Sequence, residues 1–222
     1  MLAIKRGEPP AELTKNVREL LPGQRVYENL SSVTRTVLKE SLLESQGHLC
    51  AYCMRRIDDA DHAKLEHLYP QSLSIAEGHP EQTVDYSNML VSCMGGSDER
   101  GRSYETQTCD SHKGNETISI DPCSQSDIDT IRYRRNGEIF STNPVFNRDL
   151  DETLNLNCRE AFLPQNRAKV YEAMQKAIER ESPKTHEAKR TFARRKLRNL
   201  ESACTREPFE GVMVYCLKRW AR

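Results

Sequence analysis

Apolar positions recur at helical spacing near the start of the chain. Residues 1 to about 29 contain several prolines and indicate an extended arm with one short helix, Ala11 to Leu21. A second helix is predicted to begin at Ser31 or Ser32, because a serine hydroxyl can cap a free backbone N–H, and to end at Gly47. Its apolar positions follow the helical period: Val33, Val37, Leu38, Leu42 and Leu43.

The pattern changes between residues 50 and 115 to short apolar runs separated by turn residues. The best strand candidates are Lys64 to Tyr69 and Asn88 to Cys93, joined by a long loop that contains two prolines. A short helix is predicted to begin near Cys109. The predicted order is therefore strand, loop, strand, loop, helix.

A β-hairpin is predicted after this region. The strand-like runs Ile131 to Arg135 and Glu138 to Thr142 flank the dipeptide Asn136-Gly137. Asn-Gly between two such runs is the strongest short-range hairpin signal.

Helical spacing returns from about residue 166. Val170, Met174, Ala177 and Ile178 line one face of a first helix. Pro183 separates it from a second helix, Lys184 to Leu200, and a third follows Pro208 and ends at Arg222. These elements predict an α+β fold in four segments: an N-terminal arm and helix (1–47), a core unit (48–120), a hairpin with a connecting segment (121–165) and a helical region (166–222).

The charge of the whole chain is balanced, with 33 Lys and Arg residues against 33 Asp and Glu residues. This balance excludes a protein that coats nucleic acid through a uniformly basic surface. Lys184 to Arg222 is nevertheless locally basic, with eleven Lys and Arg residues against four Asp and Glu residues. This region is either an ordinary solvated helix face or a surface that faces phosphates or a partner.

The composition predicts a soluble protein of the cytoplasm that does not associate with a membrane. Hydrophobic residues make up 36% of the chain and charged residues 30%, which is too apolar for general disorder. The longest apolar run, Val212 to Leu217, is far shorter than the roughly 20 residues of a membrane helix. The first ten residues lack the hydrophobic core of a secretory signal.

Four of the eight cysteines are clustered among histidines and carboxylates. Cys50 and Cys53 form a Cys-x-x-Cys pair, and Cys93 and Cys109 follow it. In a reducing compartment, four thiolates in separated groups predict a tetrahedral structural zinc site that stabilises a small, loop-rich unit. The remaining cysteines are predicted to be buried apolar side chains: Cys123, Cys158, Cys204 and Cys216.

A second set of polar residues lies within this cysteine frame. Glu66 is an oxygen ligand of the kind that Mg²⁺ or Mn²⁺ prefers, and His67 beside it is a nitrogen base. Adjacent strand residues point to opposite faces, so these two side chains converge only at a bend or a strand end, which Pro70 favours. Asp110 and His112 are candidates for the remaining protein ligands of the cation.

This combination suits the hydrolysis of a phosphodiester. Neutral His67 would take a proton from the attacking water, and one divalent cation would neutralise charge on the scissile phosphate. Asn88 would hold the His67 loop through backbone hydrogen bonds, and Lys113 would contact a neighbouring phosphate. The competing prediction is a zinc-stabilised module that binds nucleic acid or a partner and performs no chemistry. A base beside an oxygen ligand favours the enzyme.

In chain order, Cys-x-x-Cys, Glu-His-x-x-Pro, Asn, Cys and Cys-Asp-x-x-Lys-Gly resemble the HNH endonucleases, whose fold is a ββα-metal unit. The resemblance implies that residues 48–120 are the nuclease core. It also implies that His67 is the general base, that Glu66 is a metal ligand and that Asn88 is the middle asparagine of the motif. Spacing selects Asp110 for the third position, whereas matching the residue type selects His112.

The resemblance extends to the HNH nuclease subunits (PtuB) of Septu-type anti-phage defence. Ile4 to Leu13, the helix that leads into Cys50, and Leu154 to Asn157 carry this similarity. It implies an effector nuclease that works with a PtuA-like ATPase and, in some systems, with a retron reverse transcriptase and its DNA–RNA product. DNA is the favoured substrate and RNA the alternative. The fifteen residues between Cys93 and Cys109 depart from the usual spacing and are a candidate loop for contact with substrate or partner.

Overall fold

The computed structural model describes residues 1–181, 185–203 and 205–222. Its strands are Ala63–His67 (β1), Met89–Cys93 (β2), Ile131–Tyr133 (β3) and Ile139–Ser141 (β4). Its α-helices are Ala11–Glu19 (α1), Ser32–Ser45 (α2), Gln71–Ala76 (α3), Asp110–Lys113 (α4), Gln125–Ile128 (α5), Pro144–Arg148 (α6), Leu163–Arg180 (α7), His186–Ser202 (α8) and Glu210–Trp220 (α9). The predicted α+β class is therefore confirmed.

Helix α2 begins and ends at the predicted residues. The Ser31 hydroxyl accepts a hydrogen bond from the Thr34 backbone N–H at 3.0 Å, and Gly47 follows the helix with a φ of +62°. The expected apolar face is wrong at Val33, which is 62% exposed. Thr34 is buried instead, because its hydroxyl donates to the Asn16 side chain on α1 at 3.0 Å.

Strands β1 and β2 form an antiparallel pair that packs against α2. The register pairs Ala63 with Cys93 at one end and His67 with Met89 at the other. The Gln46 side chain, just after α2, takes the place of a further strand, because its amide bonds both the N–H and the C=O of Val91 at 2.9 Å. This contact fixes the position of the strand pair relative to α2.

The predicted short helix follows the second strand. The loop 94–108 is closed at its base by a hydrogen bond from the Thr108 N–H to the Gly95 carbonyl at 3.0 Å. The Cys109 N–H donates to the Leu154 carbonyl at 2.9 Å, and α4 begins at the next residue. The coarse order strand, loop, strand, loop, helix is confirmed, with an additional short helix, α3, in the first loop.

The predicted hairpin is present as β3 and β4, with Ile131 opposite Ser141. Gly137 lies in its turn with a φ of +83°. A Cβ atom at this position would lie 1.8 Å from the Pro164 carbonyl oxygen in α7, so the close approach of the turn to α7 requires glycine. The buried Arg167 fixes the approach by donating to the Gly137 carbonyl at 2.7 Å.

The C-terminal region contains three helices that pack on one another. Helix α7 buries Met174 and Ile178, as predicted, together with Tyr171. The third helix, α9, ends at Trp220, two residues before the predicted end. The predicted break at Pro183 and helix start at Lys184 lie outside the described residues, as does Cys204.

The buried apolar side chains form one cluster to which all four segments contribute. Cys50 and Cys53 belong to this cluster, as do Met89, Leu90 and Val91 of β2. No helix in the described ranges combines the length and the apolar character needed to cross a bilayer.

Candidate active site and zinc centre

The four clustered cysteines converge on one point. The Sγ atoms of Cys50, Cys53, Cys93 and Cys109 all lie within 4.8 Å of one another. Individual Sγ–Sγ distances are 3.7 Å for Cys50–Cys109, 3.6 Å for Cys53–Cys93 and 3.9 Å for Cys93–Cys109. A tetrahedral zinc ion with Zn–S bonds of about 2.3 Å places its sulfurs about 3.8 Å apart. The donor set and its spacing therefore fit zinc.

The cluster is assembled from three separate parts of the fold. The turn after α2 supplies Cys50 and Cys53, the last residue of β2 supplies Cys93, and the residue before α4 supplies Cys109. Cys109 has a φ of +59° and Met54, next to Cys53, a φ of +64°. Such backbone conformations cost non-glycine residues about 1–3 kcal/mol each. Metal–thiolate bonds would offset this strain.

The cysteines outside the cluster lie apart from it. Cys158 and Cys216 are buried and Cys123 is half-buried, and all three are free thiols. For these three, the predicted role as small apolar side chains agrees with their positions in or beside the core. Burial raises the pKa of Cys216 to about 11, so the thiol remains protonated and unreactive at neutral pH.

Asn88 holds the loop that follows β1. It ends a short 3-10 turn immediately before β2 rather than lying on that strand as expected. Its side-chain oxygen accepts from the Tyr69 N–H at 2.7 Å, and its amide nitrogen donates to the carbonyls of Tyr69 at 3.0 Å and Gln82 at 3.3 Å. One amide thus joins both ends of the loop through backbone groups, as the sequence predicted.

His67 is the last residue of β1 and is held on two sides. Its Nε2 lies 3.0 Å from the Thr83 carbonyl oxygen, and the Tyr27 ring packs edge-on against it with centroids 5.4 Å apart. Since a carbonyl only accepts, Nε2 must carry the proton of the neutral ring, which leaves the lone pair on Nδ1. Burial lowers the pKa of His67, so the ring is neutral at pH 7. The residue is only 5% exposed.

Glu66 lies on the opposite side of β1 from His67 and is 1% exposed. Its Oε1 accepts from the Tyr52 hydroxyl at 2.6 Å and lies 2.9 Å from the Lys113 Nζ. Glu66 and His67 therefore contact different neighbours, as strand alternation requires. The expectation that a bend before Pro70 brings the two side chains together is wrong, because both residues lie in the regular part of β1. Burial and the adjacent Asp110 carboxyl raise the pKa of Glu66 to about 8, against the opposing charge of Lys113.

Asp110, at the start of α4, lies beside Glu66, close enough for each carboxyl group to shift the pKa of the other. The Asp110 Oδ2 lies 2.8 Å from the Nζ of Lys64 on β1. Burial alone would raise the pKa of Asp110, but the adjacent Glu66 and Lys64 side chains lower it below its usual value. The structure thus brings two carboxyl groups together, each in contact with one lysine.

His112 lies apart from this pair. Its Nδ1 is 3.0 Å from the Thr153 carbonyl, and its ring stacks on that of Tyr104 with centroids 4.5 Å apart. Residues 110 and 112 point to different sides of α4, because successive helical residues turn by 100°. The geometry favours Asp110 over His112 as the partner of Glu66, and the expectation that His112 joins the same ligand set does not agree with its position.

Lys113 is internal rather than superficial. It is 2% exposed, and its ammonium group contacts Glu66 and donates to the His67 carbonyl oxygen at 3.0 Å. The expectation that Lys113 contacts nucleic acid does not agree with this burial. The residue instead joins α4 to the end of β1.

Four residues around the site were not assigned a role in it from the sequence: Tyr27, Tyr52, Lys64 and Thr83. Tyr52 lies between Cys50 and Cys53, and Lys64 lies two residues before Glu66. Their proximity to candidate site residues along the chain could have predicted that they belong to the site. Tyr27 and Thr83 reach the site from distant loops, for which the sequence carried no signal.

Glu66 and Asp110 are the residues that could hold a divalent cation. Carboxylate oxygens are the ligands that Mg²⁺ and Mn²⁺ prefer, and Mg²⁺ is commonly held by one or two carboxylates with water and substrate phosphate completing its coordination. Two adjacent carboxyl groups therefore fit such an ion. Among the described residues, the cysteine cluster is the only group of three or more potential ligands within reach of one ion.

No family model matches the chain, and no curated protein matches it either.

Proposed function

We propose that the unit formed by β1, β2 and α4 is a metal-dependent endonuclease of the HNH type that hydrolyses phosphodiester bonds in nucleic acid, with DNA as the favoured substrate. The observation that carries the proposal is the combination at the end of β1. A neutral His67 with a fixed tautomer ends β1 just before the loop that the Asn88 side chain holds, and Glu66 of the carboxyl pair directly precedes it in the strand.

His67 has the properties of a general base. Its Thr83 hydrogen bond orients the ring and leaves Nδ1 as the acceptor, and its lowered pKa keeps that lone pair available at neutral pH. Nδ1 would take a proton from water as the water oxygen forms a bond to phosphorus. The bond from phosphorus to the leaving oxygen then breaks, and that oxygen takes up a proton from solvent.

Glu66 and Asp110 would hold a divalent cation, which supplies charge neutralisation at the phosphate when bound. Asn88 contributes by keeping the His67 loop in place, and the cysteine-bound zinc contributes by fixing β2 and α4 relative to each other. The roles of zinc and the second cation are therefore separate.

The similarity to Septu-type nuclease subunits supports two further parts of the proposal. One is a role as the effector of an anti-phage defence complex with a PtuA-like ATPase. The other is an association, in some systems, with a retron reverse transcriptase and its DNA–RNA product. The balanced charge of the chain supports a requirement for such a partner, because a protein without net positive charge attracts the phosphate backbone only weakly.

A second candidate function is a zinc-stabilised binding module without catalytic activity. The burial of His67 favours it, since a substrate would reach the imidazole only after the groups packed around it move. In this alternative, Glu66 and Lys113 are an internal ion pair that stabilises the strand and helix.

Cleavage of plasmid DNA and of RNA separates the two functions. The wild-type protein, with and without its ATPase partner, is compared with His67→Ala in the presence and absence of Mg²⁺. His79→Ala is the matched control, because this histidine is exposed and lies outside the site. We expect His67→Ala to cut at least about 10²-fold more slowly while keeping its zinc and remaining folded, with a lower melting temperature because a buried side chain is lost. If the wild type binds nucleic acid and never cuts it, the binding module is correct.

A further inference from the structure

The carboxyl pair of the proposed nuclease site is already matched by two ammonium groups. Lys113 Nζ lies 2.9 Å from Glu66 Oε1, and Lys64 Nζ lies 2.8 Å from Asp110 Oδ2. In their ionised forms these four side chains carry two negative and two positive charges. The cluster therefore has no net negative charge to attract a cation, and protonation of Glu66, whose pKa is raised to about 8, makes it positive.

Both lysines are held in place by second contacts. Lys113 also donates to the His67 carbonyl at 3.0 Å, and Lys64 also donates to the Ser111 hydroxyl at 3.0 Å. Lys113 is buried, so moving it away would leave Glu66 as an uncompensated buried group, which is strongly unfavourable. The two ammonium groups are thus a fixed part of the site.

We infer that the site binds its divalent cation cooperatively with a phosphate group of nucleic acid and binds it weakly without one. This inference rests on the proposed function. A divalent cation at Glu66 and Asp110 would lie close to two ammonium groups, and Coulomb repulsion in a partly buried site is substantial. A phosphodiester brings the missing negative charge and supplies oxygen ligands of the kind that Mg²⁺ uses with carboxylates.

Cooperativity of this kind is reciprocal. If the phosphate raises the affinity for the cation by some factor, the cation raises the affinity for nucleic acid by the same factor. Without nucleic acid, the protein would therefore bind the divalent cation only weakly. The complete site would form only when a substrate phosphate is bound.

The test measures Mn²⁺ binding by the electron paramagnetic resonance signal of free Mn²⁺. Zinc-loaded His67→Ala protein, which cannot cut, is titrated alone and with a saturating DNA oligonucleotide, and the oligonucleotide alone provides the background. We expect Mn²⁺ to bind at least about tenfold more tightly in the presence of DNA. Equal affinities with and without DNA would overturn the inference.

A charge variant provides an independent measurement. Lys64→Met is preferred to Lys113→Met, because Lys64 is 31% exposed at its side chain and its loss leaves Glu66 paired. With one ammonium group removed, Mn²⁺ should bind the DNA-free protein at least about fivefold more tightly, and the effect of DNA should shrink. The control is Lys15→Met, an exposed residue of α1. Unchanged or weaker Mn²⁺ binding by Lys64→Met would contradict the inference.

The two proposals fail in different ways. Cleavage by the wild type together with DNA-independent Mn²⁺ binding would refute the cooperativity and leave the nuclease function standing. DNA-dependent Mn²⁺ binding by a protein that never cuts would refute the nuclease function and leave the cooperativity standing.

Discussion

Replacing one cysteine of the zinc cluster should unfold the strand pair while leaving the C-terminal helices folded. Cys109→Ala removes a buried thiolate that connects β2 to α4. Its matched control is Cys216→Ala, which removes a buried thiol from α9 outside the cluster. The two variants lose the same atom type from equally buried positions, so a difference between them reports zinc binding.

The expected magnitude follows from the small size of the unit. β1 and β2 share only five residue pairs, and a two-stranded sheet is marginal by itself. Positive φ angles at Met54 and Cys109 add about 2–6 kcal/mol of strain together. Structural zinc supplies about 10–16 kcal/mol at neutral pH, comparable with the whole stability of a domain. The free energy lost with the zinc site should therefore exceed the stability of the strand pair, which then unfolds. Cys216→Ala, in contrast, should lower the free energy of unfolding by about 1 kcal/mol.

Zinc content and hydrogen exchange measure this outcome. The wild type and Cys216→Ala should hold one zinc per chain and protect the amides of β1 and β2. Cys109→Ala should lose zinc and exchange those amides rapidly, while α7 keeps its protection. Retention of one tightly bound zinc by Cys109→Ala, with protected strands, would refute the structural-zinc reasoning.

Three other predictions concern the loop, the base and the surface. Asn88→Ala leaves the N–H and the C=O of Tyr69 without their partner and removes one of two hydrogen bonds to the Gln82 carbonyl, so urea unfolding should show a loss of about 2–3 kcal/mol. Tyr27→Ala uncovers His67, and because burial is the main cause of its lowered pKa, an NMR titration should show that pKa rising toward about 6.5. A lowered histidine pKa makes the folded state lose stability as pH falls below about 6.5, so Tyr27→Ala should also reduce this acid sensitivity. On the basic helix α8, replacing exposed Arg194 and Arg198 with Gln should reduce the salt dependence of nucleic-acid binding, lowering the log–log slope by about 2.

Controls for these variants are available in the chain. Asn199→Ala, on the exposed side of α8, should leave stability nearly unchanged. Replacing Lys169 and Lys176 of α7 with Gln removes the same charge elsewhere and should leave the salt slope nearly unchanged. Asn88→Ala as stable as the wild type, a His67 pKa that Tyr27→Ala does not move, or equal slopes for the two charge variants would each contradict the corresponding prediction.

Short-range signals in the sequence predicted most of the elements. A capping serine and a terminal glycine defined α2, and Asn136-Gly137 located the hairpin, because each depends on the local backbone. The cysteine spacing likewise predicted the zinc-compatible cluster. Clustered cysteines that do not form disulfides are typical ligands of structural zinc.

The misplaced side chains depended on tertiary contacts. Thr34 rather than Val33 is the buried residue, because the Asn16 side chain on another helix accepts a hydrogen bond from the threonine hydroxyl. Lys113 was expected at the surface, as lysines usually are, and is buried because Glu66 on β1 compensates its charge. In both cases the deciding partner lies far away along the chain, where periodicity provides no information.

The loop between Cys93 and Cys109 has its two ends tied together by the thiolate cluster and by the Thr108–Gly95 hydrogen bond. Its exposed tip at residues 97–101 is therefore separated from the strands and from α4. Lengthening such a closed loop adds little to the entropic cost of closing it, about 0.6 kcal/mol for each doubling of the loop length. Evolution or a protein engineer could thus graft a recognition peptide or a reporter at this tip without changing the scaffold beneath it.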